Sequence, residues 1–159
     1  MSKLMSKSVS ESITTSRKLV MPDQINPGGS LFGGEMMAWI DKLAAMCAMR
    51  HCQLPVVTAS IDQINFLAPV LLADHVIMSA KIVYVGTTSM EIRVDVETEN
   101  PIAGVRRKTT QAYLTFVALD ENRKPVEVPK LVLETEEDKE EFKLAKKRIE
   151  LRKQMAWRN

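Results

Sequence analysis

The feature that most constrains this fold is an uninterrupted helical run, GGEMMAWIDKLAAMCAMRHC, at residues 33–52. Its apolar residues fall on nearly every face, which predicts a helix that the rest of the chain must bury. A loop rich in Asp, Asn, Pro and Gly precedes the run, and Pro55 follows it. Because one apolar helix needs an apolar surface around it, we expect a sheet that wraps around this helix.

Four later runs have the β-branched composition or the alternation of long strands, namely residues 55–66, 75–86, 89–99 and 106–121. The third run, SMEIRVDVETE, alternates most clearly. In the second run, one face carries Val76, Met78, Ala80, Ile82 and Tyr84. The short links VGTTS and ENPIAG predict antiparallel hairpins. A first strand at residues 17–22, ended by Pro22, completes an α+β architecture.

The two ends of the chain are polar. From Thr135 the sequence predicts a charged helix, with acids in the first turns, bases in the last, and a capping box between Thr135 and Asp138. Its few apolar residues, Phe142, Ala145 and Ile149, predict one narrow packing stripe. We therefore divide the chain into a flexible tail (1–15), a main domain (16–130) and a C-terminal charged helix (131–159).

Composition and charge exclude several classes of protein. The net charge of +2 is too small for a nucleic-acid binder. No stretch reaches the roughly 18 apolar residues of a membrane span, and the N-terminus lacks a signal peptide, which predicts a cytoplasmic protein. Cys47 and Cys52 would point about 140° apart on a helix, and His51 and His75 have no ligand spacing, so we expect neither a disulfide nor a metal site.

The start of the long helix offers hydrogen-bond donors. Gly33, Gly34 and Glu35 should present amides without intrahelical partners, which can bind an anion or a polarised carbonyl oxygen. No Gly-Lys-Ser/Thr follows the glycines, so a P-loop is excluded, and the dinucleotide fingerprint is absent. Phosphate binding by this loop is therefore weakly supported.

Two polar residues accompany these donors. Asp41 lies two turns after Gly34, with small or apolar neighbours that would desolvate a carboxylate and make it a stronger base. The alternative is an Asp that is hydrogen-bonded to nearby backbone or exposed. Asn26 lies in a Pro/Gly turn, where Asn is common for conformational reasons. Together the Asn, the amides and the acid form an acyl-transfer constellation without a Ser or Cys nucleophile.

The stretch NPGGSLFGGEMMAWID, residues 26–41, resembles the signature of the hotdog-fold acyl-CoA thioesterases, in the branch of bacterial cytosolic and brain-type acyl-CoA hydrolases. Further similar segments are RHC, VVTASIDQINFLAPV, VGTTSMEIRV and TTQAYLTFVALDENRKPVEVP, so the resemblance covers about residues 15–130. It implies an antiparallel sheet of about five strands wrapped around one long buried helix, plus a C-terminal surface helix. One departure is Phe32, where many members have His.

The resemblance also implies roles for individual residues. Asp41 would be the general base or nucleophile, Asn26 would position water or the thioester, and Gly33 and Gly34 would donate to the oxyanion. The Asn and Asp of one site would come from different subunits of a homodimer, with a trimer of dimers as the full assembly. Contacts with the coenzyme A nucleotide are implied for Gly86, Thr87, Thr88 and Ser89. Its phosphates could bind Arg106, Arg107 and Lys108, although these are equally typical of a basic strand end.

The expected activity is hydrolysis of an acyl-CoA thioester to free acid and CoA, with no metal or redox cofactor. The expected partners are the substrate and further copies of the chain, with no nucleic acid and no membrane. One alternative is a non-catalytic, acyl-CoA-sensing hotdog protein, although the residues before 17 are too few for a helix-turn-helix. A hotdog dehydratase would need an active-site His, and neither His51 nor His75 lies near the helix start. The preferred acyl length and the choice between base and nucleophile stay open.

Overall fold

The structure, a computed structural model, describes residues 5–155. Within these residues, seven strands and two long helices follow one another, with 3-10 turns at Val9–Glu11 and Pro22–Gln24. The elements are β1 (Lys7–Ser8), β2 (Thr14–Leu19), α1 (Gly33–Cys52), β3 (Val56–Phe66), β4 (His75–Val85), β5 (Ser89–Asn100), β6 (Val105–Ala118), β7 (Leu131–Val132) and α2 (Glu136–Gln154). The bounds of α1 are those that the sequence predicts.

Five strands form one antiparallel sheet in the order β2-β4-β5-β6-β3, and β1 pairs with β7 in a separate parallel pair. Both predicted hairpins, β4–β5 and β5–β6, are confirmed by their antiparallel pairing. The first closes tightly, since the Gly86 amide donates to the Ser89 carbonyl at 2.8 Å. The predicted α+β architecture of one sheet, one long helix against it and a C-terminal helix is therefore confirmed.

The core lies between α1 and one face of the sheet, here called the inner face. Alternation along β4, β5 and β6 places the apolar side chains on this face, as predicted from the strand pattern. The fully buried ones are Val76, Met78, Ala80, Ile82, Met90, Ile92, Val94, Val96, Ala112, Leu114, Phe116 and Ala118. From α1 the core receives Met36, Ile40, Leu43, Ala44, Cys47 and Ala48.

One face of α1 departs from the expectation of burial on all sides. Met37, Met46 and Met49 are 40%, 54% and 48% exposed. The reason is geometric, because the sheet of a single protomer covers one side of the helix only. Met46 and Met49, three residues apart, therefore leave apolar surface exposed on one side of α1 in the single chain, and Met37 is exposed near the start of the helix.

Tyr84 lies on the other face of the sheet from the one predicted. A register irregularity between Ile82 and Tyr84 inserts one extra residue into β4, so Tyr84 pairs with Glu91 instead of continuing the inner row. One extra residue reverses the direction of every side chain that follows it. On this outer face, the Tyr84 ring packs against Phe142 of α2, with ring centroids 4.8 Å apart.

The N-terminal segment also differs from the prediction. Residues from Lys7 onward are structured: the Lys7 amide donates to the Lys130 carbonyl at 3.0 Å, and the Arg50 guanidinium donates to the Ile13 carbonyl at 2.6 Å. The predicted strand at 17–22 is shifted to 14–19 because Pro22 begins a 3-10 turn. The remainder of the predicted tail, 1–4, and the last four residues of the predicted helix segment, 156–159, lie outside the described residues.

Helix α2 begins as predicted and packs differently. The Thr135 hydroxyl accepts from the Asp138 amide at 3.0 Å, and the Asp138 carboxylate accepts from the Thr135 amide, which confirms the capping box. The helix crosses the outer face of the sheet, where its contacts are mostly ionic. Its buried residues are Glu141 and Ala145, so the narrow apolar stripe is only part of the interface.

Candidate active site

Asn26 lies in the turn before α1. The Asn26 amide donates to the Ser30 carbonyl at 2.7 Å, and the Asn26 side-chain oxygen accepts from the Ser30 amide at 3.2 Å. Gly29 has φ of +88°, a conformation that favours glycine. The chain then reaches α1 through a 2.9 Å hydrogen bond from the Phe32 amide to the Gln24 carbonyl. Asn26 therefore acts as a turn former, the conformational alternative that the sequence left open, and its side chain is hydrogen-bonded to Ser30.

Two adjacent amides at the start of α1 are available to a ligand. The Glu35 and Met36 amides donate to the Phe32 carbonyl at 3.0 and 3.3 Å, so the prediction of a free amide at Glu35 was wrong. Gly33 and Gly34 donate in no backbone hydrogen bond of residues 5–155 outside the helix ladder. A Cβ on Gly34 would lie 2.4 Å from the Phe32 ring, which shows how closely that ring covers the turn.

An apolar pocket of about 380 Å³ opens beside Gly33. It is lined by Ser30, Leu31, Gly33, Met36 and residues 66–70. Apolar walls with a few convergent polar groups are typical of small-molecule sites. The pocket suits an apolar chain whose polar end meets the helix start.

Asp41 has a partner that the sequence analysis missed. The Thr58 hydroxyl donates to the Asp41 carboxylate at 2.8 Å, from β3 to the uncovered side of α1. Asp41 is half-buried in the single protomer, so the expected full desolvation is not found there. The sequence does not distinguish Thr58 from other threonines, because Thr is common in strands for conformational reasons.

Within one protomer, the predicted catalytic residues form two separate groups. Gly33 and Gly34 lie at the start of α1 and Asn26 lies in the turn before it, whereas Asp41 lies seven residues after Gly34. At 1.5 Å per residue this separation is about 10 Å along the axis. A general base must come within about 3 Å of the proton that it takes. One protomer alone therefore does not place Asp41 on a carbonyl held by the glycine amides.

The predicted coenzyme A contacts are also divided. Gly86–Ser89 form the β4–β5 turn beside a pocket of about 340 Å³ that Lys130 and Phe142 also line. Arg106, Arg107 and Lys108 lie at the far end of β6, about 35 Å away at 3.4 Å per residue. Arg106 pairs with Glu97 at 2.8 Å. The structure therefore does not bring the turn and the basic residues together in one protomer.

The histidine and cysteines of α1 are buried. The His51 Nε2 atom lies 2.8 Å from the Pro129 carbonyl, and burial lowers the pKa of His51, with the hydrogen bond to Pro129 acting in the opposite direction. Cys47 and Cys52 are both free, and burial raises the pKa of the Cys47 thiol to about 12. These residues support packing at the end of α1. Across residues 5–155, no helix is long and apolar enough to cross a membrane.

An antiparallel sheet against one long helix, with an apolar pocket beside the first residue of that helix, defines a protein of the hotdog class. The model of the thioesterase superfamily matches residues 28–104. A Bacillus subtilis protein, named as an uncharacterized acyl-CoA thioester hydrolase, is 45% identical over 81% of this chain and 74% of its own length. The cytosolic acyl coenzyme A thioester hydrolase of Rattus norvegicus is 35% identical over 82% of this chain, which spans 35% of that longer protein.

Solved structures agree with this classification. A hexameric acyl-CoA thioesterase is 40% identical with a TM-score of 0.93, covering 98% of this chain and 100% of its own. The acyl-CoA hydrolase of Staphylococcus aureus, solved with butyryl coenzyme A, coenzyme A and coenzyme A disulfide, is 38% identical with a TM-score of 0.87, covering 94% of this chain and 91% of its own. The chain belongs to the hotdog-fold acyl-CoA thioester hydrolases, and it is an enzyme of that class.

The Staphylococcus aureus enzyme has also been characterised as three alanine variants, at one asparagine, one aspartate and one threonine. Those positions are separated by 15 and 17 residues in that chain. Asn26, Asp41 and Thr58 have the same two separations here. Two of the three were identified from the sequence, and the third is the Asp41 partner found in the structure.

Proposed function

We propose that this chain hydrolyses acyl-CoA thioesters to a free acid and CoA in a site shared by two protomers. The Gly33 and Gly34 amides of one protomer hold the thioester carbonyl, and Asp41 of the other faces it. The observation that carries this proposal is the hydrogen bond between Asp41 and Thr58. It lies two helical turns from the Gly33 and Gly34 amides, which have no backbone partner within residues 5–155. The matching spacing in the Staphylococcus aureus enzyme supports the same three side chains.

The chemistry follows from these groups. Water attacks the thioester carbon, Asp41 takes the proton from that water, and the negative charge that develops on the carbonyl oxygen is stabilised by the two amides. The carbon–sulfur bond then breaks, and the CoA thiolate leaves and takes up a proton. Asn26 orients the water or the thioester, and Thr58 fixes the orientation of the carboxylate. Direct attack by Asp41 would need the same placement, and neither route involves a metal or redox cofactor.

A second copy of the chain is proposed to cover the open side of α1. That side carries Met46 and Met49 beside β3, which is an edge strand with free backbone groups. Pairing two copies there would bury these apolar side chains and desolvate Asp41. The hexameric relatives support a trimer of such dimers. The same pairing would bring the Gly86–Ser89 turn and the basic end of β6 from different protomers to one coenzyme A.

The first test is release of free thiol from acyl-CoAs of increasing chain length. We expect Asp41→Asn to lower kcat by about 10² to 10⁴, the range for loss of a general base. Asp120→Asn is the matched control, since Asp120 caps a surface turn through bonds to the Asn122 and Lys124 amides. Equal kcat in the wild type and Asp41→Asn would contradict the proposal. Tight acyl-CoA binding without turnover by the wild type would favour the sensor alternative.

The shared site has its own test. Asn26→Ala and Asp41→Ala are each expected to be inactive, but a co-expressed mixture should regain activity. A mixed dimer contains one site with both residues intact, so random pairing predicts about a quarter of the wild-type activity. A mixture as inactive as its parents would show that both residues act within one protomer.

The mammalian relatives are named cytosolic, which supports the cytoplasmic location expected from the sequence.

A further inference from the structure

The edge strand β3 is irregular directly after Thr58. Its pairing with β6 shifts register between Thr58 and Ser60, and again between Ile61 and Gln63. Each shift inserts one extra residue, which interrupts the ladder of hydrogen bonds and bends the strand. In the single protomer β3 has β6 as its one neighbour in the sheet. The backbone that carries Thr58 is therefore held less firmly by β6 than it would be in a regular pairing.

Arg152, near the end of α2, spans this irregular segment on the outer face. Its guanidinium donates to the Thr115 hydroxyl at 2.9 Å and to the Ser60 hydroxyl at 3.4 Å, and it forms an ion pair with Asp62. Thr115 is the β6 partner of Ser60. One side chain thus connects β3 to β6 directly after the first irregularity and reaches the second at Asp62. All three contacts are made by the Nη1 atom, which has two N–H groups, so the Ser60 contact at 3.4 Å is the weakest of the three.

The remaining ion pairs between α2 and the sheet lie elsewhere. Those involving Glu137, Glu141 and Arg148 contact Lys81, Arg93 and Glu91, which belong to β4 and β5. Within residues 5–155, Arg152 makes the one ion pair that joins α2 to β3. The other ion pairs of α2 therefore do not hold β3 in place.

We propose that Arg152 is a positioning residue for catalysis: it holds the irregular segment of β3 against β6 and so sets the Thr58 hydroxyl that orients Asp41. The inference rests on the proposed function, because it acts through the Thr58–Asp41 hydrogen bond of 2.8 Å. Arg152 itself lies on the outer face and touches no reacting atom. A displacement of the base by a fraction of an ångström is enough to slow the chemical step.

The test is a double-mutant cycle on kcat with Arg152→Gln and Thr58→Ala. We expect Arg152→Gln to lower kcat about 3- to 10-fold with little change in KM, and to have no further effect once Thr58 is Ala. Glu137→Gln is the matched control, because it removes an ion pair of the same helix to β4 and should leave kcat unchanged. If Arg152→Gln does not fold, Arg152→Lys replaces it in the same cycle.

Two results would overturn the inference. One is wild-type kcat in the Arg152 variant, and the other is the same fold loss in the Thr58→Ala background as in the wild type, which would mark a merely structural role. A wild type that does not hydrolyse acyl-CoA, or a Thr58→Ala variant with undiminished kcat, would instead overturn the proposed function, and with it this inference. The two failures are thus distinguishable in one set of measurements.

Discussion

The two long helices have nearly the same length, 20 and 19 residues, and bind opposite faces of one sheet by opposite means. Helix α1 packs apolar side chains on the inner face, and α2 docks on the outer face through ion pairs. Apolar burial is non-directional and scales with area. An ion pair instead requires one particular partner at the right distance, and it contributes little unless that partner is present. The packing of α1 can therefore be encoded by a local apolar pattern, whereas the docking of α2 requires specific neighbours.

The centre of the outer interface shows the contrast most clearly. Glu91 is 2% exposed beneath α2, and its carboxylate accepts from the Arg148 guanidinium at 3.0 Å. The same guanidinium lies 3.8 Å from the centre of the Tyr113 ring. Burial raises the pKa of Glu91, and the hydrogen bond and charge of Arg148 lower it part of the way back. This side of the sheet thus depends on a charge that needs its partner.

The largest effect is expected in the inner interface. Ile40→Ala removes a fully buried side chain of α1 and should lower the free energy of unfolding by about 2 to 5 kcal/mol, because it loses apolar burial and leaves a cavity. The matched control, Leu144→Ala, truncates a 40% exposed residue of α2 and should cost less than about 1 kcal/mol. Urea denaturation at one fixed protein concentration measures both. Equal losses would show that the two helices do not differ as described.

The next effect concerns the buried ion pair and depends on pH. Because the folded pKa of Glu91 lies above the reference 4.5, its protonated form contributes stability that is fully present below pH 4.5 and is lost as pH rises through the folded pKa. Arg148→Gln removes a group that lowers this pKa, so the destabilisation caused by the substitution should grow with pH. We expect little destabilisation near pH 4.5 and about 1 to 3 kcal/mol at pH 8.

Unfolding curves over this pH range, with and without Glu91→Gln, check the assignment to that carboxylate. Once Glu91 is replaced, Arg148→Gln should lose its pH dependence, because no buried carboxylate is left to ionise. A cost of Arg148→Gln that is equal at both pH values would mean that the arginine stabilises α2 through its packing on Tyr113. The outer interface would then resemble the inner one, since packing and not an ion pair would stabilise it.

The smallest effect is expected at the start of α2. Thr135→Ala removes the hydroxyl that accepts from the Asp138 amide and should cost about 1 kcal/mol, the usual value of an N-cap. Thr135→Ser keeps the hydroxyl and should retain most of the stability. Thermal unfolding of both variants measures the difference. Identical melting temperatures for the Ala and Ser variants would show that ion pairs alone, without the cap, keep the helix in place.

Several elements were predictable because they depend on local pattern. The bounds of α1, the two hairpins and the capping box at Thr135 follow from periodicity, turn length and capping chemistry. Asn26, Gly33, Gly34 and Asp41 were found because their motif is contiguous in sequence. Their roles remain predictions for the experiments above.

The rest depended on relations that no local pattern records. The extra residue in β4 that moves Tyr84 to the outer face leaves the alternation of letters unchanged. Thr58 resembles any strand threonine until β3 places it against Asp41. Likewise, Arg152 belongs to a run of charged residues whose partners lie as many as 92 positions away.

The sequence by itself determined the inner half of this protein: a helix apolar enough to require a sheet, strands that alternate to supply one, and a helix start with free amides. Only the tertiary structure decided the outer half, where it selected which charges of α2 pair with the sheet. It also decided, on the α1 side of the sheet, which hydroxyl reaches the Asp41 carboxylate. The physical reason is that the two kinds of interaction depend differently on the exact positions of their partners. Hydrophobic burial is satisfied by any apolar surface, so its pattern can be read residue by residue. A hydrogen bond or ion pair is decided by a few tenths of an ångström between residues that are distant along the chain.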